Sequence, residues 1–185
     1  MPLRRLRGSD AAAWRALRLR GLREEPGAFG SAWEEEEPHP LPWFAERLER
    51  HAVLGAGAAT LHATAGLLLE TALKHRHKAV LWGVFVAPEA RGQGLARLMM
   101  RHLIWHAADH GLRDIRLTTS AENRAALALY ASLGFVPYGR EPRATLVEGR
   151  LEEAVMMALH LDASWFSNPR PDAIPGLCPP PPASP

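Results

Sequence analysis

Cysteine is almost absent from this 185-residue chain, where Cys178 stands alone. One thiol closes no internal disulfide, and no metal-ligating side chain lies beside it, so a disulfide or cysteine–metal scaffold is excluded. A long basic block is also missing. The net charge of +2 and the pI of about 9.1 are a mild excess, which gives no reason to expect a nucleic-acid partner. Arg15, Arg18 and Arg23 recur at helical spacing and read as a solvated helix face. No apolar run has the content of a membrane span. The nearest, 52–69, is mostly Ala, Gly and Thr with His62 inside it, and reads as two short strands and a turn. Met1-Pro2-Leu3-Arg4-Arg5 leads into charge without the apolar core of a secretory signal. Together these lacks predict a soluble, cytoplasmic protein with no membrane partner.

What is present is a core-forming composition. Hydrophobic residues make up 47% of the chain, enough for one domain of this length. Residues 2–7 read as an opening strand, and Ser9 or Asp10 as the N-cap of a helix over 11–24 with Trp14, Leu17 and Leu22 inward. Pro26-Gly27 ends that helix. A second helical region covers 33–37 and 42–50, broken by Pro38-His39-Pro40. Strands follow at 52–56, 61–70 and 79–86. The next helix, 94–110, carries Ala96, Met99, Met100, Leu103, Ile104 and Ala107 on one stripe. Gly111 and Gly134 supply left-handed helix ends. Between them lie a strand at 115–119 and a helix at 123–133 with Ala126, Leu129, Tyr130 and Leu133 on its apolar stripe. Strands at 135–138 and 152–161 complete the pattern. The expected domain spans 1–166, and 167–185 reads as a Pro-rich, mobile tail with polyproline-like stretches.

The segment Arg91-Gly92-Gln93-Gly94-Leu95-Ala96 joins an apolar strand to a helix. A Walker phosphate loop would need Gly-Lys-Ser/Thr at its end, which is missing. A dinucleotide fingerprint counted from Gly92 meets Arg97 where a third small residue belongs. An anion seat of another shape remains. The glycines let the backbone turn sharply and bare its N–H groups, the helix adds unsatisfied amides and its positive end, and Ala96 keeps the first turn slim. An ordinary strand-to-helix turn stands beside that reading.

This segment resembles the acyl-CoA signature Q/R-x-x-G-x-G/A of the GNAT acetyltransferase superfamily, with Arg91, Gly94 and Ala96 in the specified places. Val86-Ala87-Pro88 precedes it. Asn123, Ala126, Tyr130 and Leu133-Gly134-Phe135 are similar to the second landmark, N-x-x-A-x-x-x-Y-x-x-x-G-F. The closing stretch, with Gly139 to Ala144, Glu152-Glu153 and Met157-Ala158-Leu159, also resembles bacterial GNAT proteins. The resemblance covers residues 3–161. It implies an α/β (α+β) fold with a mixed, mostly antiparallel twisted sheet, splayed at the acyl-CoA site and flanked by about four helices.

The resemblance also implies roles. Backbone groups near Phe85 and Val86 would hold the pantetheine arm and the thioester carbonyl. Amides of Arg91, Gly92, Gln93, Gly94, Leu95 and Ala96 would bind the pyrophosphate. Asn123 caps its helix or contacts the ligand, and both roles are compatible. Tyr130 is the candidate acid for the departing thiolate, although it also lies on an apolar stripe. A free phenol, with a pKa of about 10, is a weaker acid than a thiol near 8.5, so the tyrosine either has a shifted pKa or stabilises the thiolate by a hydrogen bond. No carboxylate lies between Ala79 and Val86 to act as base, which leaves deprotonation through water. Glu34 and Glu35, in the run Glu34 to Glu37, are candidates for drawing in a cationic amine, against the plainer reading of a solvated helix face. His75 and His77 have no third ligand, and no metal is expected. The expected function is N-acetyl transfer from acetyl-CoA to a primary amine by direct attack in a ternary complex. The alternatives are a non-catalytic acyl-CoA-binding module and an unrelated α/β nucleotide binder. The acceptor is open between a protein N-terminus, a lysine, a polyamine and a small amine. Dimers are common in the family, so a homodimer belongs to the expectation.

Overall fold

The structure is a computed structural model that describes residues 1–163, 165–174 and 177. Strand β1 is Leu3–Arg5, and helix α1 is Ala11–Glu24. A short α2, Trp33–Glu36, and then α3, Leu41–Arg50, lead to β2 (Ala52–Ala56), β3 (Ala63–Leu69) and β4 (Lys78–Val86). Helix α4 is Leu95–Asp109, β5 is Asp114–Ser120 and α5 is Arg124–Ser132. The hairpin of β6 (Val136–Val147) and β7 (Arg150–His160) closes the sheet. No helix among the described residues is long and apolar enough to cross a membrane.

The seven strands run in the order β1-β2-β3-β4-β5-β7-β6. Every neighbouring pair is antiparallel except β4 and β5. That parallel pair needs a crossover, which α4 provides. The mixed, mostly antiparallel sheet with helices on both faces is the expected fold class. Alternation along the strands splits the core in two. Leu54 joins Met99, Met100, Leu103 and Ile104 of α4 on one face. Its neighbour Val53 joins Trp14, Phe44 and Leu48 of α1 and α3 on the other. Trp14, Leu17 and Leu22 point inward as their spacing predicts. Gly111 and Gly134 are left-handed, with φ of 71° and 93°.

Two features differ from the sequence reading. Strand β6 runs to Val147 rather than stopping at Tyr138. It absorbs irregularities between Pro137 and Gly139 and between Glu141 and Thr145, and a proline-bearing stretch with such bulges does not read as a strand. The turn itself is Glu148-Gly149, both with positive φ, which is what a two-residue hairpin turn requires. Arg18 does not belong to a solvated face, because its side chain is buried against Glu36. The described part of the Pro-rich segment from residue 167 lies against α4. Trp105 lies beneath the Arg170 guanidinium at 4.8 Å, Arg101 donates to the Pro169 carbonyl at 2.7 Å, and Ile174 is buried. Cys178 and the proline run after it lie outside the described residues.

Candidate active site

Strand β4 pairs with β5 only at Lys78, Ala79 and Val80, opposite Asp114, Ile115 and Arg116. Beyond Val80 the two strands part. β5 stays with β7 as far as Ser120, and β4 stays with β3 as far as Val86. The β4 edge from Leu81 onward therefore faces an opening, with main-chain groups that no strand on that side pairs. Gly83, with φ of 62°, interrupts β4 at this point, and the β3 register shifts beside it.

The opening leads to the glycine loop. Gly92 and Gly94 have φ of 76° and 72°, and a Cβ added at either would meet nothing within 4 Å. Their glycine identity is thus set by backbone conformation and not by crowding. Gly94 is the N-cap of α4, and the first helical bond is Leu98 N–H to Gly94 O at 3.0 Å. The amides of Leu95, Ala96 and Arg97 precede that bond and point out of the helix end. A 230 Å³ cavity lies here, lined by Val86, Ala90, Arg91, Gly92, Gly94, Leu95, Ala96, Arg97 and Leu129. Six of the predicted acyl-CoA residues thus meet in one cavity. Bare amides at a helix N-terminus beside an open strand edge fit a long donor with a pyrophosphate at one end.

The other candidates sit around it. Phe85 turns its ring toward Phe29, 6.2 Å away on the α1 side, so only its backbone faces the opening. Gln93 is exposed and outside the cavity lining. Asn123 Oδ1 accepts from Ala126 N–H at 3.0 Å, capping α5. Tyr130 follows Leu129, packs near Phe135 at 6.0 Å and is 8% exposed. Burial pushes its phenol up to about 12, so it stays protonated as a hydrogen-bond donor through neutral pH. The loop is strapped to α1 by two ion pairs. Arg91 reaches Glu25 at 2.8 Å, and Arg20 grips Glu89 at 2.7 and 2.9 Å, holding that carboxyl down to about 2.

Glu34 and Glu35 are apart from this group. They line a separate 580 Å³ cavity between the α1–α2 connection and the end of β6, with Phe29, Ser31, Trp33 and Glu148 among its walls. Glu35 also accepts from the Ala32 amide at 2.9 Å. Glu36 turns inward to Arg18, with its guanidinium Nε at 2.9 Å and Nη2 at 2.6 Å. This pair was missed in the sequence. Its signal was there: Arg18 lies four residues from both Trp14 and Leu22, on the buried stripe of α1. A second missed carboxylate is Glu152 on β7, buried and accepting from Ser120 Oγ at 3.2 Å. Among the described residues no group of three His, Cys, Asp or Glu side chains is placed to hold a metal ion.

Comparison with known proteins places this arrangement. The model of the acetyltransferase (GNAT) family matches residues 9–135. The [ribosomal protein bS18]-alanine N-acetyltransferase of Escherichia coli K12 is 32% identical over 134 residues, covering 68% of this chain and 85% of the relative. The L-amino acid N-acyltransferase MnaT of the same organism is 35% identical over 91 residues, 49% of this chain and 51% of its own. Among solved structures, the ribosomal-protein-alanine N-acetyltransferase from Brucella melitensis superposes with a TM-score of 0.72 at 23% identity, over 87% of this chain and all of that one. The protein yncA from Salmonella typhimurium, solved with its cofactor acetyl-CoA, gives 0.73 at 22% identity, over 94% and 98%. The chain is therefore an acyltransferase and belongs to the GNAT family of acetyltransferases.

Proposed function

We propose that this enzyme transfers an acetyl group from acetyl-CoA to a primary α-amino group by direct attack in a ternary complex. The observation that carries the reading is the parting of β4 from β5, which ends at the glycine loop and bare amides of α4. In this reading the amides from Arg91 to Ala96 hold the pyrophosphate, and the backbone near Phe85 and Val86 holds the arm and the thioester carbonyl. Asn123 caps α5 and presents its amide to the donor. The acceptor enters through the cavity that carries Glu34 and Glu35, whose charge favours a cationic amine. The choice of an α-amine rests on two relatives, one named for an alanine of a ribosomal protein and one for L-amino acids.

The bond changes are simple. The amine nitrogen attacks the thioester carbonyl, the C–S bond breaks, the nitrogen gives a proton to water and the departing thiolate takes one from water. Tyr130, near 12, is a weaker acid than a thiol of about 8.5 by more than three powers of ten. It therefore serves by donating a hydrogen bond to the departing thiolate, without handing over its proton. A cytoplasmic enzyme, acting as a homodimer, completes the proposal.

A thiol-release assay with acetyl-CoA and a panel of amines, with mass spectrometry of the product, tests it. Turnover with amino acids or peptide N-termini supports the reading. Tight CoA binding with no turnover on any amine would identify a non-catalytic acyl-CoA module instead.

A further inference from the structure

Arg18 is the one buried arginine among the described residues, with 4% of its surface exposed. Its guanidinium touches three parts of the fold. It donates twice to Glu36 on α2 and, at 3.5 Å, to Ser31 Oγ in the α1–α2 connection. It lies over the Phe29 ring at 4.8 Å and the Trp82 ring at 5.9 Å. Its remaining nitrogen, Nη1, has no hydrogen-bond partner among the described residues and sits 3.6 Å from where a Cβ of Gly83 would be. Phe29 and Ser31 are walls of the 580 Å³ cavity, and Gly83 is the break in β4 beside the opening.

Fold stability does not account for this arrangement. Removing two charges from water costs about as much as their attraction returns, and apolar pairs of similar volume serve a core as well or better. The orphaned Nη1 adds a further cost. A costly polar device kept at one spot is what a fold shows where geometry matters more than stability.

We propose that the Arg18–Glu36 pair is a positioning device that fixes the wall of the acceptor cavity against the interrupted strand β4, and so sets where the acceptor amine meets the thioester. The pair touches neither substrate and works through Phe29, Ser31 and the Gly83 segment. This inference rests on the acetyl-transfer reading, with the cavity of Glu34 and Glu35 as the acceptor's entrance. A displacement of about 1 Å in such an alignment costs roughly 10²-fold in rate.

The test uses the full chain and an α-amine that the wild-type enzyme acetylates. The double variant R18M/E36L removes both charges of the pair, and it is combined with R47M because the half-buried Arg47 guanidinium also depends on Glu36, so no charge is left buried alone. The expected result is a melting temperature equal to or above the wild type, CoA affinity within about twofold, and acceptor kcat/KM lower by about 10²-fold, mostly in kcat. The variant E36D keeps the charge pair but withdraws the carboxylate by one methylene, and is expected to lose about tenfold in kcat with CoA affinity unchanged. A purely structural pair predicts the reverse, with melting temperatures falling while kcat holds. Acceptor kcat/KM within threefold of wild type in either folded variant overturns the proposal. Wild-type enzyme that acetylates no amine overturns the acetyl-transfer reading, and this inference falls with it.

Discussion

The guanidinium of Arg91 donates from Nε to the Val86 carbonyl at 3.1 Å, closing the glycine loop back onto the strand that leads into it. The same side chain reaches Glu25 at the end of α1. One exposed arginine thus ties the loop to both the open strand and the neighbouring helix. Arg91→Ala is expected to weaken CoA binding by about tenfold in a calorimetric titration. Because the ion pair is solvent-exposed, unfolding stability should change by less than ~1 kcal/mol. Unchanged affinity would show that the loop keeps its shape without this tie.

Gly94→Ala asks whether loop conformation is what the donor reads. An alanine Cβ would meet nothing, so the cost is that of a left-handed L-residue, about 1–2 kcal/mol. The chain relieves it by turning the loop, which moves the amides ahead of Leu98. CoA affinity should fall about tenfold or more. Gly149→Ala in the β6–β7 turn carries a similar backbone penalty and should leave CoA affinity alone.

Tyr130→Phe removes a hydroxyl that has no protein hydrogen-bond partner among the described residues and packs beside Phe135. The fold and CoA affinity should survive. A hydrogen bond to a developing thiolate is worth roughly 1.5–3 kcal/mol, so kcat should drop about 10- to 100-fold. With the phenol near 12, the wild-type rate should show no alkaline limb assignable to Tyr130 below about pH 11. An unchanged kcat in the phenylalanine variant would leave the residue as core packing alone.

Much of this frame was legible in the sequence because it rests on local patterns. The stripe of Met99, Met100, Leu103 and Ile104, and the glycines that end α4 and α5, need no tertiary context. The Arg91–Ala96 segment likewise places itself, since glycines between a strand and a helix leave few conformations. What stayed hidden depends on partners distant in the chain. Arg18 and Glu36 look like surface charges until α2 folds back over α1. The bulges let β6 run past Pro142 as a strand, which no propensity forecasts. Residues 167–174 meet α4 through Arg170, which lies over Trp105 and pairs with Asp109, contacts that exist only because α4 presents that face.

Acid stability should bear the mark of His106. Burial is the main cause that pushes its imidazole down to about 4, with His110 and Arg5 adding repulsion and Asp109 opposing it. The folded side chain is therefore neutral at pH 5, where the unfolded one, near 6.5, takes up a proton. Its contribution to stability is fully present above pH 6.5 and is lost as the pH falls toward 4. By pH 5 the loss is about 2 kcal/mol. His106→Leu should lose less stability than wild type between pH 7 and pH 5, measured by urea unfolding. Parallel losses in the two proteins would place the acid sensitivity elsewhere.

Only three rungs, at Lys78, Ala79 and Val80, join the β1–β4 half of the sheet to the β5–β7 half. The sheet is in effect a book bound along a short spine, with its pages open at the far end. A ligand lying in that opening replaces the missing rungs and staples the two halves together. Donor binding should therefore slow amide exchange along the spine itself, at residues the ligand never touches.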